Sequence, residues 1–344
     1  MAKQVTMNLK RIAEAADLSI ATVSRALRNK NEVSLVTRRK VHEIAKKMQY
    51  RPNMLIRGIQ TGKTQNIGVM VPPYNPYWSS VLSGIHDGLV SGDFVPITLW
   101  DEGLKIYQGR ESFILEQMHR LIDRRVDGMI LWPKVSETFG KHLDELESRQ
   151  LPVVTVDHEL DFSDSVETDE YIGARRVVTH LYNLGHRHIG HLAGSHHWSW
   201  AKLRRKCFED EVAQYSDLTC SIVEGQYDED APEMARKLLL SNPRPTAIFA
   251  CSDTVAFEIY KAAYELNIRI PRELSVVGCS DTHKFVQLIN PPLTTVKQYP
   301  REMGQRAAQI LIDRLNGKNT SPERKRVRMS CELIVRGSTT AVPK

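Results

Sequence analysis

Arg25, inside the short helical pattern Ser19–Leu27, is the residue of this 344-residue chain whose type and setting most directly imply chemistry. A guanidinium fork can donate two parallel hydrogen bonds to O6 and N7 of a guanine in a major groove. Beside it, Ile20 and Ala21 offer only apolar contact, of the kind a thymine methyl accepts. Thr22, Ser24 and Asn31 carry groups suited to phosphate oxygens, which position a protein without reading sequence. Val23, Ala26 and Leu27 recur at helical spacing and supply a buried side, and Ser19 stands where a helix N-cap is needed.

The charge distribution places this pattern in the right setting. The net charge is +6, but residues 1–64 hold 14 Lys and Arg against 4 Asp and Glu, whereas the remaining 280 hold 33 against 37. A basic head on a mildly acidic body is the pattern of a polyanion-binding module joined to something else. No run of about 18 apolar residues exists to span a membrane, and the start of the chain lacks an apolar signal-peptide core. The five cysteines are scattered with no C-x-x-C pair, which predicts reduced thiols in a cytoplasmic protein.

The elements that must position Arg25 form three short helical patterns. Leu9, Ile12, Ala13 and Ala16 fall on one helix face, with Asn8 as a candidate cap. Asp17-Leu18-Ser19 turns into the Ile20–Leu27 helix, and a third helix starts near Ser34 with Val41, Ile44, Ala45 and Met48 on its buried side. Two helices joined by a tight turn and braced by a third constitute a helix-turn-helix module.

From Asn66 onward, apolar strand patterns alternate with helical stretches, at Ile67–Val71, Phe94–Leu99, Gly128–Leu131, Pro152–Val156, Ile189–Leu192, Ala247–Cys251 and Ser275–Gly278. That alternation predicts an α/β body of parallel sheets flanked by helices, with ligands bound beyond the carboxyl ends of the strands. Aromatic residues gather at those ends, in Tyr74-Asn75-Pro76-Tyr77-Trp78, Trp132-Pro133-Lys134, Trp198-Ser199-Trp200 and Gln226-Tyr227. Such a set suits a sugar ring or another flat ligand. The histidine tract His186, His188, His191, His196 and His197 straddles a strand whose side chains alternate faces, so it predicts no metal site.

The head is similar to the DNA-binding head of the LacI/GalR (lactose repressor) family. The resemblance rests on Ala21-Thr22-Val23-Ser24-Arg25, Val33-Ser34, Thr37-Arg38, Val41 and Tyr50-Arg51-Pro52-Asn53. It implies that Ile20, Ala21 and Arg25 read bases. It also places Tyr50 and Asn53 at the DNA, and implies a hinge helix after Asn53 that wedges an apolar side chain into the minor groove. Ile59 takes the position of that wedge, where a leucine is usual, and unstacking a base step suits its apolar side chain.

The body resembles the same family at Asp127-Gly128, Gly185-His186-Arg187, Leu203-Arg204, Ser252-Asp253, Pro292-Leu293-Thr294-Thr295 and Val335-Arg336-Gly337-Ser338-Thr339. This implies a two-lobed, periplasmic-binding-protein-like core (type I). The expected organisation is a helix-turn-helix domain over 1–52, a hinge and linker over 53–65, and an effector-binding and dimerisation domain over 66–344. Lobe crossings are expected near Thr168, Lys297 and Thr320. The implied effector contacts are Tyr77, Trp78, Trp132, Asp157, Trp198, Trp200, Arg204, Tyr227, Ser252 and Asp281. Arg204 leads this set, because its fork can hold two vicinal hydroxyls or a carboxylate. Two departures stand out: Cys279-Ser280 replaces the aromatic–acid pair usual before Asp281, and Pro300 replaces an aromatic that often closes the pocket.

The expectation is therefore a ligand-controlled transcription regulator, a repressor that binds a pseudo-palindromic operator as a homodimer. A small effector would sit between the lobes, a sugar being favoured over a nucleobase or sugar phosphate, with no cofactor and no metal. A transporter's solute-binding protein would share the body but not the basic head. An α/β enzyme would need an elbow, phosphate loop, dinucleotide fingerprint or metal signature. None is present: Gly62-Lys63-Thr64 has Arg57 where a phosphate loop needs glycine. No heptad tail for tetramerisation follows Thr339.

Overall fold

The computed structural model describes residues 9–28, 30–50, 58, 62–71, 75–99, 111–132, 137–195, 199–225, 230–318 and 321–342. Asn8, Asn53, Ile59, Trp198 and Tyr227 lie outside the described residues. The chain forms two compact units, 1–64 and 65–344.

The first unit contains α1 (Leu9–Ala16), α2 (Ile20–Leu27) and α3 (Leu35–Lys47). Their buried faces meet in one core of Ile12, Ala13, Ala16, Val23, Ala26, Val33, Val41 and Ala45. Each fully buried Ile or Val contributes roughly 1.5–3 kcal/mol. Because the helices are short, this packing and their caps hold them rather than intrinsic propensity. Ser19 Oγ accepts the Thr22 N–H at 3.0 Å, and Ser34 Oγ accepts the Thr37 N–H at 3.1 Å. Lys40 Nζ donates to the carbonyl of Ala16, the last residue of α1, at 2.8 Å, which ties α3 to α1 where cations are favoured.

The second unit is built on two six-stranded sheets. The first contains β1 (Asn66–Met70), β2 (Val95–Thr98), β3 (Gly128–Leu131), β4 (Val153–Val156), β5 (Asp164–Thr168) and β11 (Arg326–Met329), in the order β11-β5-β4-β3-β1-β2. All its pairings are parallel. The second contains β6 (His188–Ala193), β7 (Thr219–Glu224), β8 (Ala247–Ala250), β9 (Ser275–Ser280), β10 (Thr294–Lys297) and β12 (Glu332–Ile334), in the order β12-β10-β9-β8-β6-β7. Only β12 runs antiparallel, against β10.

Helices cover both faces of each sheet, as near-continuous apolar strands require. In lobe 1, α4 (Pro76–Ser91) and α12 (Pro300–Leu315) bury Ile67, Val69, Ile130, Val154 and Val166. On the opposite face α5 (Glu111–Asp123) and α6 (Glu137–Ser148) bury Met70, Met129, Leu131 and Val153. In lobe 2, α7 (Glu170–Asn183) and α8 (Ser199–Val212) cover one face, while α9 (Ala231–Leu239) and α10 (Asp253–Glu265) cover the other. A short α11 (Phe285–Leu288) precedes β10. Among the described residues, no helix is long and apolar enough to cross a membrane.

The chain passes between sheets after Thr168, after Lys297 and between Met329 and Glu332. The last passage lies downstream of the expected position near Thr320, because Arg326–Met329 first adds a parallel strand beside β5. Neither strand was legible, since β11 is short and half-buried and β5 is unusually polar. Ser163, Asp164 and Ser165 are almost fully buried, and Arg314 holds Asp164 through two bonds of 2.7 Å.

Candidate functional site

On the head, the cap at Ser19 fixes which side of α2 faces outward. Ile20 is 48% exposed, Ala21 and Arg25 are exposed, and Thr22 and Ser24 are half-buried. Arg25 Nε lies 3.6 Å from Glu32 Oε2, with both side chains largely in solvent. An exposed pair of this kind is worth little, so the fork is available for exchange onto a base. Thr22 Oγ1 is 2.8 Å from Ser19 Oγ, which orients the Thr22 hydroxyl at the helix start. Asn31 is exposed in the loop after α2. Tyr50 packs against the head core, and burial raises its hydroxyl pKa, so its ring is in part a packing element.

In lobe 1, Asn75 Oδ1 accepts the Trp78 N–H at 2.9 Å and so caps α4. That cap puts Tyr77 and Trp78 in the first turn, beyond the carboxyl end of β1. Trp78 lies 5.0 Å from Trp132 and 5.2 Å from Tyr77, the latter edge-on. Trp78 and Trp132 are buried against each other at 4% and 9% exposure, so they form a packed wall rather than open ring faces. Asp157, at the carboxyl end of β4, is held at φ 57°, in the left-handed region. Such positions in a non-glycine residue persist only where surroundings enforce them, and they cluster at functional sites. Burial, and then the Glu170 carboxylate, push the Asp157 pKa up to about 7. The Tyr77 hydroxyl is raised well above its ordinary value by burial first and by Asp157 second.

In lobe 2, the guanidinium of Arg204 lies 5.0 Å from the Trp200 ring centroid. Its fork is not open, contrary to the expectation that it awaits a ligand. Nε and Nη2 donate to the two carboxylate oxygens of Glu170 at 2.7 and 2.6 Å, and Nη1 donates to the carbonyl of Cys251. Both side chains are 7% exposed. Glu170 also accepts from Gln298 Nε2 at 3.4 Å, which reaches it from the second crossing. Glu170 is the residue that sequence reasoning missed. An acid following the N-cap Asp169 reads as an ordinary first-turn residue, and only the packing of α7 against α8 makes it a buried partner.

Ser252 and Asp281 are engaged within lobe 2. Ser252 Oγ caps α10 by accepting the Val255 N–H at 3.1 Å. Asp281 pairs with Arg336 at 2.8 Å. Beneath them, buried Asp253 accepts from Thr295 Oγ1 at 2.6 Å, Ser280 Oγ at 3.0 Å and the Asp281 N–H at 2.7 Å. These bonds hold Ser280 at φ 126° and Asp281 at φ 54°. The Ser280 departure thus serves the floor of the site, and Pro300 is buried in the first turn of α12.

His196 and His197 lie outside the described residues, and the other histidines of the tract have structural partners. His186 contacts Thr246 Oγ1 at 2.9 Å and Ser275 Oγ at 3.0 Å. His191 bonds the Phe249 carbonyl at 2.9 Å and stacks between Phe208 and Phe249. Among the described residues, no group of three or more His, Cys, Asp or Glu is arranged to hold a metal ion.

Residues 8–53 match the model of bacterial regulatory proteins of the lacI family, and residues 178–339 match a periplasmic binding protein-like domain. The HTH-type transcriptional repressor CytR of Escherichia coli (strain K12) is 30% identical over 350 residues, covering 99% of this chain and 98% of that protein. The repressor PurR of Photobacterium profundum is 28% identical over 339 residues, covering 96% and 98%. The lac repressor dimer bound to operator and the anti-inducer ONPF superposes with a TM-score of 0.79 over 97% of this chain and 99% of that one; at 23% identity it shows the fold. A LacI family transcriptional regulator from Enterococcus faecium with bound ribose gives a TM-score of 0.69 at 27% identity, covering 81% and 100%. The chain belongs to the lacI family of bacterial regulatory proteins, which are DNA-binding transcriptional regulators and not enzymes.

Proposed function

We propose that the protein is a repressor that binds a pseudo-palindromic operator as a homodimer and is switched by a small neutral effector, a sugar in preference to a nucleobase, held between the lobes. Each head would read one half-site through Ile20, Ala21 and Arg25, with Thr22, Ser24, Asn31, Tyr50 and Asn53 on the backbone and Ile59 at the operator centre. The effector would meet Tyr77, Trp78, Trp132 and Asp157 from lobe 1 and Trp198, Trp200, Arg204, Tyr227, Ser252 and Asp281 from lobe 2.

The observation that carries this reading is the electrostatic contact between lobes. Asp157 and Tyr77 of lobe 1 feel both Glu170 and Arg204 of lobe 2, at the strand ends where α/β sheets bind ligands. A ligand that changes these contacts changes lobe closure, and coupling of about 1–3 kcal/mol suffices to regulate DNA affinity. The ribose-bound Enterococcus faecium relative supports a sugar.

The test is a thermal-shift screen of mono- and oligosaccharides and nucleobases on the full chain and on residues 65–344 alone. A ligand that stabilises both species supports the modular reading. A ligand that needs residues 1–64 in order to bind contradicts it.

A further inference from the structure

Four titratable groups meet where the lobes face each other: Tyr77 and Asp157 from lobe 1, and Glu170 and Arg204 from lobe 2. Two are carboxyl groups, one is a phenol and one is a cation. The cation is already committed. Arg204 gives the edge that could grip a carboxylate or phosphate to the carboxylate of Glu170, in a bidentate pair 7% exposed on each side. Its remaining terminal nitrogen is directed to the Cys251 carbonyl, and its face lies beside Trp200. An incoming anion would have to expel a buried carboxylate from a guanidinium, and a buried ion left unpaired is strongly destabilising.

Asp157 has the opposite character. Among the described residues no cation is paired with it, and its same-sign neighbours Glu170 and Glu167 outnumber Arg204. Apart from a backbone hydrogen bond at Thr168, its carboxyl is therefore buried with no cation to neutralise it. Deeper in lobe 2, Arg336 is likewise neutralised by Asp281, and Asp253 is satisfied by two hydroxyls and one backbone N–H. Neither guanidinium at this junction is left without a carboxylate partner.

We propose that Glu170 sets the charge class of the effector: by closing the Arg204 fork it converts an anion receptor into a neutral pair, so that the site takes an uncharged or cationic ligand rich in hydrogen-bond donors and rejects its phosphorylated or carboxylated counterpart. This rests on the effector-site reading above and adds a specificity-determining residue to it. Glu170 acts through Arg204 and the field at Asp157, not through contact with the ligand.

The experiment uses inorganic phosphate, so it does not depend on knowing the effector. The full chain is titrated with phosphate at constant ionic strength against chloride, reading tryptophan fluorescence, because Trp200 lies against the Arg204 guanidinium. The wild-type protein is expected to show no saturable change up to 50-fold above the phosphate concentration that half-saturates Glu170→Gln. The Glu170→Gln variant is expected to respond saturably and to lose that response when Arg204→Met is added. Glu170→Ala serves the same arm if Glu170→Gln does not fold. A saturable wild-type response that disappears in Arg204→Met would overturn the proposal, because the fork would be open. So would a folded Glu170 variant that gains no response. If the phosphate results are as expected but no neutral ligand from the thermal-shift screen is weakened by Asp157→Asn, the charge logic stands and the effector-site reading fails.

Discussion

At the scale of single residues, Arg25 and Asp157 carry different kinds of information. Arg25 is exposed and loosely paired with Glu32, so its outward place on α2 was legible from residue type and helical position. Arg25→Ala should weaken operator binding by about 1–3 kcal/mol per half-site and relax sequence preference at one base pair. Equal loss on operator and on random duplex, measured by anisotropy, would make Arg25 a phosphate contact instead. Asp157 was legible as a position but not as a perturbed acid, because its raised pKa arises from burial and from Glu170. Its carboxyl is protonated more readily in the folded chain than in the unfolded one. The folded state therefore loses stability as pH rises from the ordinary aspartate range to about 7. Asp157→Asn should raise the melting temperature at pH 8, change it little at pH 4, and weaken effector binding. A melting temperature lowered at pH 8 would show that the charged form is stabilised in the fold.

At the scale of elements, alternation of strand and helix was enough to anticipate the sheets, whereas their edges were not readable. Strand β5 hides behind Asp164-Ser165, whose burial depends on Arg314 from α12, 150 residues away in sequence. The closing strands β11 and β12 are short and half-buried, without an apolar run to mark them. The fork between α7 and α8 was equally hidden, because neither helix alone shows that Glu170 will meet Arg204. One helix contact has a direct consequence. A Cβ added at Gly304 of α12 would lie 2.1 Å from the Val81 carbonyl oxygen of α4, and one at Gly84 would lie 1.9 Å from that of Arg301. The two backbones thus touch at the turns next to Trp78 and to the second crossing. Gly304→Ala should force α4 and α12 apart and cost about 1–3 kcal/mol. Because α4 carries Tyr77 and Trp78, it should also weaken the effector, which denaturant melts and ligand titration would show together. Unchanged stability would mean that the helices can separate without strain.

At the scale of the whole molecule, buried histidines contribute to the acid sensitivity of the body. Burial lowers the pKa of both His186 and His191 to about 4, so the folded state refuses protons that the unfolded chain accepts. Stability is complete above the ordinary histidine pKa and is lost as pH falls from there towards 4, by on the order of 3 kcal/mol per ring. His191→Phe, which keeps the stack between Phe208 and Phe249, should flatten the fall in melting temperature between pH 7 and pH 5. An unchanged slope would assign the acid lability to other groups. The central claim is that one ligand site between the lobes controls what the head does on DNA. Its most direct test is the operator affinity of the full chain, measured by anisotropy with and without a ligand found by thermal shift, for wild type and for Asp157→Asn. The account predicts a change of at least about fivefold in wild type that Asp157→Asn abolishes, with unliganded affinity retained. A ligand that binds without altering operator affinity, or a change that survives in Asp157→Asn, would contradict it.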